Sequence, residues 1–299
     1  MKPSVVISAY NEEGRLAECL KSVSTIAQEI IVVDNSSTDS TEKIAREFTD
    51  KVYTRKNNIM LNTNKNFGFS KAQSEWILNL DADERLTSEL AEEILSLPEG
   101  GGVDGYYVPR KNIIFGKWIR HTGWYPDYQL RLFRKDKGKF EEKHVHELIK
   151  INGTTEHLEN PLTHLNYDSI SQFLEKMIKT YTVSEADSLS SSGYKFNFAD
   201  IYLMPIKEFM SRYFARQGYM DGFHGLTISL LMAFYHFVVF LRLWEKEKFP
   251  EKDNSLAIYS EGGKQLKKES AYWYANEKIN VEKNPIKKQL LKVIRKANS

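Results

Sequence analysis

Two carboxylates, Asp81 and Asp83, lie at the end of an apolar run that begins at Trp76. The run reads Trp-Ile-Leu-Asn-Leu, which predicts a buried strand that ends at the first carboxylate. Side chains two residues apart in an extended segment point the same way, so both can approach one hard divalent cation, which prefers oxygen ligands and retains positions for phosphate oxygens. The alternative is a solvated strand end, or a helix start at which Asp83 and Glu84 interact favourably with the helix dipole.

The elements that would position these acids alternate between strand and helix along the first 80 residues. We expect strands at 4–9, 29–34, 51–55 and 76–80, with helices at 15–26, after 41 as far as 48, and at 69–74. Such alternation with short connections is typical of a mostly parallel sheet with right-handed crossovers. The predicted fold class is therefore α/β, with a Rossmann-like sheet.

Acidic residues recur where these strands end, and they are Glu12, Asp34, Asp81 and Asp83. They would line one edge of the sheet, where the base, ribose and metal-bound diphosphate of a nucleotide could lie in sequence. The chain has neither a Gly-rich dinucleotide loop nor a Walker motif, so the metal and Lys65 are the candidates for holding the phosphates. Helix capping is the alternative role for Asp34.

Three segments of this region, residues 5–13 (VVISAYNEE), 31–41 (IVVDNSSTDST) and 78–83 (LNLDAD), together resemble the family 2 glycosyltransferases of the GT-A fold. The resemblance implies a nucleotide-sugar donor, inversion at the anomeric carbon and a Mg²⁺ or Mn²⁺ cofactor. Carried over by position, it implies base and ribose binding by Tyr10, Glu12 and Asp34, an approach of Lys65 to the diphosphate, a place for Asp81 beside the ribose and metal, and metal ligation by Asp83.

Residues 122–134 and 140–147 resemble a narrower subgroup, the β-1,4-glucosyltransferases of lipopolysaccharide core assembly. This second resemblance implies a lipid-linked saccharide acceptor such as the lipopolysaccharide inner core, with a hexose, glucose, supplied by a uridine nucleotide. Transfer to polyprenyl phosphate is the alternative within the same enzyme class. A metal-dependent nucleotidyltransferase, a sugar-nucleotide hydrolase and a non-catalytic sugar-nucleotide binding module are the alternatives outside it.

An inverting displacement needs a base that takes the proton from the acceptor hydroxyl. We expect Glu147 to be this base, with Asp127 as its main competitor and Glu141 and Glu142 as further ones. His146 is a candidate third metal ligand, because imidazole suits transition ions such as Mn²⁺. The alternative for His146 is that it only orients a neighbouring side chain.

The composition changes after a Ser-rich break at 190–193. We therefore predict a GT-A catalytic domain at 1–190 and a helical, membrane-proximal extension at 191–299. Residues 226–244 include 15 apolar residues out of 19, enough to cross a bilayer, but His236 near the middle makes full insertion costly. Packing inside the protein as a buried helix, an interfacial hairpin and an oligomer contact are the alternatives for this segment.

The C-terminal segment 286–296 combines one apolar face with several cations, which is typical of a helix lying on anionic lipid. Residues 264–299 contain ten Lys or Arg against three Asp or Glu, whereas the whole chain is nearly balanced at 42 against 40. The balance argues against a general nucleic-acid binder. One cysteine and no apolar leader lead us to expect a cytoplasmic protein, peripherally attached to the inner membrane. A solvated helix is the alternative for 286–296.

Overall fold

The structure, a computed structural model, describes residues 1–57, 61–98, 100–142, 148–251 and 255–298. The chain forms two compact units. The sheet unit comprises residues 1–118 and 124–166, and the helical unit comprises residues 119–123 and 167–299. The predicted domain limit at residue 190 lies inside the helical unit. That the catalytic domain ends at residue 190 stays a prediction.

The sheet unit is built on a mixed sheet whose first half is parallel. Its strands are β1 (Ser4–Ala9), β2 (Glu29–Asp34), β3 (Val52–Thr54), β4 (Trp76–Asp81), β5 (Glu84–Arg85), β6 (Gly105–Ile114), β7 (Lys117–Trp118), β8 (Asp127–Arg134), β9 (Gly138–Lys139), β10 (Lys150–Ile151), β11 (Thr155–His157) and β12 (Leu162–Tyr167). The main order is β3-β2-β1-β4-β8-β6-β12-β5, with β7 and β11 paired to β6 and a separate β9–β10 hairpin. Strands β3, β2, β1 and β4 run parallel, which confirms the α/β prediction.

Helices cover both faces of this sheet because its central strands are apolar on both sides, as parallel strands usually are. The helices of the sheet unit are α1 (Leu16–Val23), α2 (Thr41–Arg46), α3 (Leu61–Lys71) and α4 (Ser88–Ser96). On one face, α1 and α4 bury Leu20 and Leu90 against strand residues such as Leu78. On the other face, Phe69 of α3 packs with Phe133 of β8.

The helix predicted at 69–74 begins earlier than expected, because α3 spans Leu61–Lys71. The first turns of α3 bury the amides Asn62 and Asn64 in place of apolar side chains, which hides the helical period from the sequence. The Asn64 side chain is buried and its Nδ2 donates to Oδ1 of Asn35 at 2.6 Å. Gly68 allows the helix to approach β1, since a Cβ there would lie 2.5 Å from Cγ1 of Val6.

The helical unit continues the chain as a series of α-helices with short π- and 3₁₀-helical segments. They are α5 (Ile170–Lys176), α6 (Thr182–Ser191), α7 (Asp200–Met210), α8 (Phe223–Lys246), α9 (Ser255–Val281) and α10 (Pro285–Ala297). By length and composition, α8 alone among the described helices could cross a bilayer. One side of α8 is buried inside the unit, including Ile228, Val239 and Leu243.

Candidate active site

The acids expected at one sheet edge do lie at the ends of adjacent strands. Strand β1 pairs in parallel with both β2 and β4, with Ala9 opposite Asp34 and Ser8 opposite Asp81. The loop that follows β1 carries Glu12, whose backbone N–H donates to Oγ1 of Thr41 at 2.7 Å. The carboxyl ends of three neighbouring strands therefore present their polar residues along one edge, as expected for a nucleotide-binding sheet.

Asp34 is buried at this edge and is only half satisfied. Its Oδ2 accepts the backbone N–H of Ser37 at 3.1 Å. Its Oδ1 is buried and has no hydrogen-bond partner among the described residues. The carboxylate accepts this bond before α2 begins, so it closes a local turn and leaves one oxygen that a ribose hydroxyl could satisfy. Tyr10 lies nearby in sequence, after β1, and its ring is exposed.

Asp81 is held between two cations. Lys65 of α3 contacts its Oδ1 at 2.5 Å, and Arg131 of β8 contacts its Oδ2 at 2.7 Å. Burial raises the pKa of Asp81, but the charges of Arg131 and Lys65 outweigh burial and hold that pKa well below its ordinary value. Asp81 is therefore a carboxylate at physiological pH, and Lys65 is positioned to exchange partners when another anion or cation enters.

Arg131 belongs to a buried chain of alternating charges. Its Nη2 also contacts Oε1 of the fully buried Glu84 at 2.5 Å. Glu84 in turn lies 3.6 Å from Nη1 of Arg110, and Arg110 pairs with Asp127 at 2.5 Å. Each buried charge thus has an opposite neighbour, as burial requires.

Asp83 faces His164, a residue of β12. Strand β12 pairs with β5 so that His164 lies opposite Glu84, the residue after Asp83. The His164 Nε2 atom lies 3.6 Å from Oδ2 of Asp83, too far for a hydrogen bond. The other carboxylate oxygen, Oδ1, is buried and has no hydrogen-bond partner in the described part of the chain.

The tautomer of His164 follows from its neighbour Asn112. The Asn112 Nδ2 donates to the carbonyl oxygen of Trp124 at 2.8 Å and to Asp127 at 3.2 Å, which directs Oδ1 of Asn112 towards His164 Nδ1 at 2.7 Å. An amide oxygen only accepts, so Nδ1 carries the proton. In the neutral ring the lone pair is therefore on Nε2, the atom that faces Asp83.

These residues fit a divalent cation. A carboxylate with an unsatisfied buried oxygen and an oriented imidazole lone pair form a suitable ligand pair, and the Asn112 contact is the kind of support that metal-binding histidines receive. No cluster of three or more His, Cys, Asp or Glu suited to a metal occurs among the described residues. Oxygen ligands from outside the described residues, such as water or a phosphate, would have to supply the remaining positions. The predicted ligand His146 lies outside the described residues.

Asp127, the main competitor of Glu147 as the base, is fully engaged. Its Oδ2 accepts from Arg110 Nε at 2.9 Å as well as from Asn112, and its Oδ1 accepts from Gln129 at 3.0 Å. Burial raises the pKa of Asp127, but the Arg110 charge and the bonds from Asn112 and Gln129 outweigh it, so the pKa is below its ordinary value. A carboxylate held in this way is a weak proton acceptor.

The structure describes two of the other candidate bases, Glu141 and Glu142, and both carboxylates are already paired. The Glu142 carboxylate accepts from Thr63 at 3.1 Å and from Asn66 at 2.7 Å, which fastens it to α3. Glu141 pairs with Lys150 at 2.7 Å. Glu147, the expected base, lies outside the described residues.

Comparison with known proteins supplies the family. Residues 4–155 match the sequence profile described as Glycosyl transferase family 2. The chain belongs to this family. An uncharacterized glycosyltransferase of Rickettsia typhi, RT0209, is 30% identical over 256 residues, which cover 82% of this chain and 87% of that protein. The lipopolysaccharide core biosynthesis glycosyltransferase LpsC of Rhizobium meliloti is 26% identical, covering 85% of this chain and 97% of its own.

Solved structures of lower identity are also similar to this glycosyltransferase. S. aureus TarS 1–349 is 17% identical with a TM-score of 0.42, covering 85% of this chain and 93% of that one. The mannosyltransferase PcManGT from Pyrobaculum calidifontis, in complex with GDP-Man and Mn²⁺, is 13% identical with a TM-score of 0.47, covering 88% and 80%. The mixed sheet and the family assignment together confirm the predicted GT-A fold with a helical C-terminal region.

Sequence reasoning missed His164 and Arg131 in this glycosyltransferase. Arg131 could have been suspected, because it lies in the apolar run of β8 and a buried arginine needs an acid partner. Its direction could not have been inferred from alternation, because the pairing of β8 with β6 skips Arg131 between Leu130 and Leu132. His164 gave no such signal, since its place beside Asp83 comes from the β5–β12 pairing.

Proposed function

We propose that this glycosyltransferase moves a hexose, glucose, from a UDP-sugar to a saccharide hydroxyl of a lipid-linked glycan such as the lipopolysaccharide inner core, with inversion and with Mg²⁺ or Mn²⁺. The observation that carries the proposal is the sheet edge where Asp34 and Asp83 each keep a buried oxygen without a partner among the described residues, next to the cation-held Asp81. Similarity to LpsC supports the acceptor class.

Each part of the nucleotide-sugar donor has a candidate partner in this chain. Asp34 would accept hydrogen bonds from the ribose hydroxyls, and Tyr10 would lie against the base, with Glu12 beside them. Asp83, Asp81 and His164 would hold the metal, which when bound neutralises the diphosphate as it departs. An imidazole in this set favours Mn²⁺ over Mg²⁺, since Mg²⁺ prefers oxygen ligands. His146 stays a further candidate ligand.

The acceptor side requires a base for a sugar hydroxyl. We assign this role to Glu147, since Asp127 is engaged by Arg110, Asn112 and Gln129. Glu147 would take the hydroxyl proton as the acceptor oxygen attacks the anomeric carbon and the bond to the diphosphate oxygen breaks. Asp127 would then keep Arg110 and Asn112 in place, and through Asn112 the ring of His164.

A donor screen tests the proposal. UDP- and GDP-sugars are offered with Mn²⁺, with and without a heptose-containing core saccharide, and nucleoside diphosphate and glycosylated product are both measured. We expect UDP release that depends on the acceptor, with a β-linked glucose in the product. Pyrophosphate release would indicate a nucleotidyltransferase, acceptor-independent release a hydrolase, and transfer only to polyprenyl phosphate the alternative acceptor.

The Lys65–Asp81 ion pair predicts that one substitution changes the affinity for the donor and the affinity for Mn²⁺ in opposite directions. Lys65→Met should weaken donor binding about tenfold or more, because a charge-assisted hydrogen bond to the diphosphate contributes about 1.5–3 kcal/mol. The same substitution should tighten binding of Mn²⁺ alone, because it removes the cation that occupies Asp81. Isothermal titration calorimetry measures both affinities.

Lys71→Met is the matched control for Lys65→Met, because Lys71 lies on the same helix and its side chain is placed over the Tyr53 and Phe67 rings. It should change neither affinity. If Lys65→Met weakened donor and Mn²⁺ binding equally, the partner exchange would be excluded and Lys65 would only support the local structure.

Peripheral attachment to an anionic membrane is the remaining part of the proposal, and α10 supports it. The described part of this helix has no buried side chain, and Ile286, Leu290 and Val293 form an exposed apolar stripe. Five cations accompany the stripe, at positions 287, 288, 292, 295 and 296. An amphipathic helix of this kind binds anionic lipid through both apolar contact and charge.

Deleting residues 286–299 should therefore reduce binding to phosphatidylglycerol-containing vesicles by about tenfold or more at low salt, since each Lys or Arg near such a surface contributes about 1 kcal/mol. The difference should shrink at physiological salt, where screening acts over about 8 Å. Vesicle sedimentation measures the binding. Equal binding of the two proteins at low salt would remove α10 from the membrane contact.

A further inference from the structure

The helical unit exposes far more apolar surface than the sheet unit. Of the 20 exposed large apolar residues in the described chain, only Tyr10, Leu95, Tyr128 and Leu148 belong to the sheet unit, and the other 16 belong to the helical unit. Scattered exposed apolar residues are ordinary, whereas apolar residues that form one continuous stripe on an element mark an interaction surface.

Helix α8 has a buried face and an exposed face, both apolar. The exposed face carries Phe223, Leu230 and Phe234, which are 79%, 53% and 46% exposed. Half-buried Phe237 continues the same stripe at helical spacing. The stripe from Phe223 to Phe237 extends over about 21 Å at 1.5 Å per residue, and residues 223–241 contain no Asp, Glu, Lys or Arg.

The buried side of α8 argues against a membrane-spanning position. There His236 lies 3.6 Å from Glu208 of α7 and 4.0 Å from Glu185 of α6, and Tyr235 donates to Glu185. Glu208 also pairs with Arg212. Spanning would carry these charged partners to the bilayer centre, where ionisable groups are costly. Helices α6 and α7 are not among the described helices that are long and apolar enough to cross a bilayer, so neither could accompany a spanning α8.

We propose that the exposed face of α8, formed by Phe223, Leu230 and Phe234, lies along an anionic bilayer and enters the acyl-chain boundary of one leaflet. Charge complementarity favours a bilayer over a second copy of the chain. The same unit carries the cation-rich α10, and residues 264–299 are net positive, which suits anionic headgroups and repels an identical surface. The inference rests on the proposed membrane attachment and assigns α8 as its apolar component.

Site-specific labelling tests the placement directly. The native Cys19 is buried, so a cysteine introduced at an exposed position can be labelled selectively in the full-length protein. Leu230→Cys and Phe234→Cys would each carry an environment-sensitive dye, and Glu47→Cys, at an exposed position of the sheet unit, would serve as the control. Each labelled protein is mixed with phosphatidylcholine vesicles containing phosphatidylglycerol, with and without bromine on the acyl chains.

We expect a blue shift and at least twofold quenching by brominated lipid at 230 and 234, with neither at 47. A dye at 230 or 234 that stays in water on vesicle-bound protein would overturn the proposal, and so would failure to bind vesicles at all. A blue shift without lipid that grows with protein concentration would indicate self-association through this face and would equally overturn it.

A charged variant separates the membrane contact from catalysis. Leu230→Glu combined with Phe234→Glu should reduce vesicle binding by about tenfold or more, because acidic groups on the lipid-facing side meet both apolar chains and anionic headgroups. Ser188→Glu, at an exposed position of α6, should leave binding unchanged. Acceptor-dependent UDP release with a soluble core saccharide should be the same for all three proteins. If the unsubstituted protein released no UDP with the acceptor, the proposed function would be wrong. If the charged variant bound vesicles as well as the unsubstituted protein does, the α8 contact would be wrong.

Discussion

Replacing Asp83 by alanine is expected to lower sugar transfer at least about 10³-fold, which corresponds to about 4 kcal/mol of transition-state stabilisation. The variant removes the buried oxygen that has no described partner and the carboxylate that faces His164 Nε2. Without it the metal would lack its best ligand at the point where negative charge develops on the diphosphate. Initial rates of UDP release over a Mn²⁺ titration measure the loss.

Two comparisons make this result specific. Asp50→Ala removes an exposed acid of the same unit and should keep full activity. His164→Ala should raise the Mn²⁺ concentration needed for half-maximal rate and should weaken Mn²⁺ binding to the donor-free protein, a readout that does not depend on turnover. Activity of the Asp83→Ala variant that equals the unsubstituted rate, or full activity of either protein in excess chelator, would contradict the metal role.

The acidic edge of the sheet was predictable because the strands that form it can be recognised from their local sequence alone. A buried strand ends at Asp34 and another at Asp81, and parallel strands place their carboxyl ends together whatever their exact register. The same reasoning needed no knowledge of distant contacts. For that reason the fold class and the position of these acids followed from the sequence.

The partners of those acids were not predictable in the same way. His164 reaches Asp83 only because β12 pairs antiparallel with β5, some 80 residues earlier in the chain. Arg131 reaches Asp81 because β8 lies next to β4 in the sheet and runs antiparallel to it. The register of antiparallel strands depends on tertiary packing. The sequence therefore identifies the acids but not the cations that pair with them.

The counter-charges change how the acids should be interpreted. In the alternating chain from Lys65 through Asp81, Arg131, Glu84 and Arg110 to Asp127, removal of one member leaves a buried charge without its partner. An alanine substitution at Asp127 would therefore disturb Arg110 and the rest of the chain even if Asp127 took no proton. Only a substitution that keeps the hydrogen bonds can test its catalytic role.

Glu147→Gln should reduce transfer to a saccharide acceptor by about 10²–10⁴-fold, the usual contribution of a positioned general base. Asp127→Asn, whose Oδ1 can still accept from Arg110 and Asn112 and whose Nδ2 can donate to Gln129 once that amide turns over, should cost less than about tenfold in rate at saturating acceptor. The donor affinity should stay unchanged in Glu147→Gln, because the base acts on the acceptor hydroxyl. Rates and donor KM for both variants, with thermal unfolding as the check on folding, give the comparison.

The acceptor itself provides the control for the base assignment. Polyprenyl phosphate is already an anion and needs no proton removed, so any transfer to it should survive Glu147→Gln while transfer to the saccharide is lost. An acceptor whose hydroxyl has been made more acidic by neighbouring fluorine should recover part of the lost rate for the same reason. A larger loss in Asp127→Asn than in Glu147→Gln, in a protein that still unfolds at the unsubstituted temperature, would move the base to Asp127 and make its ion pair with Arg110 part of the catalytic machinery.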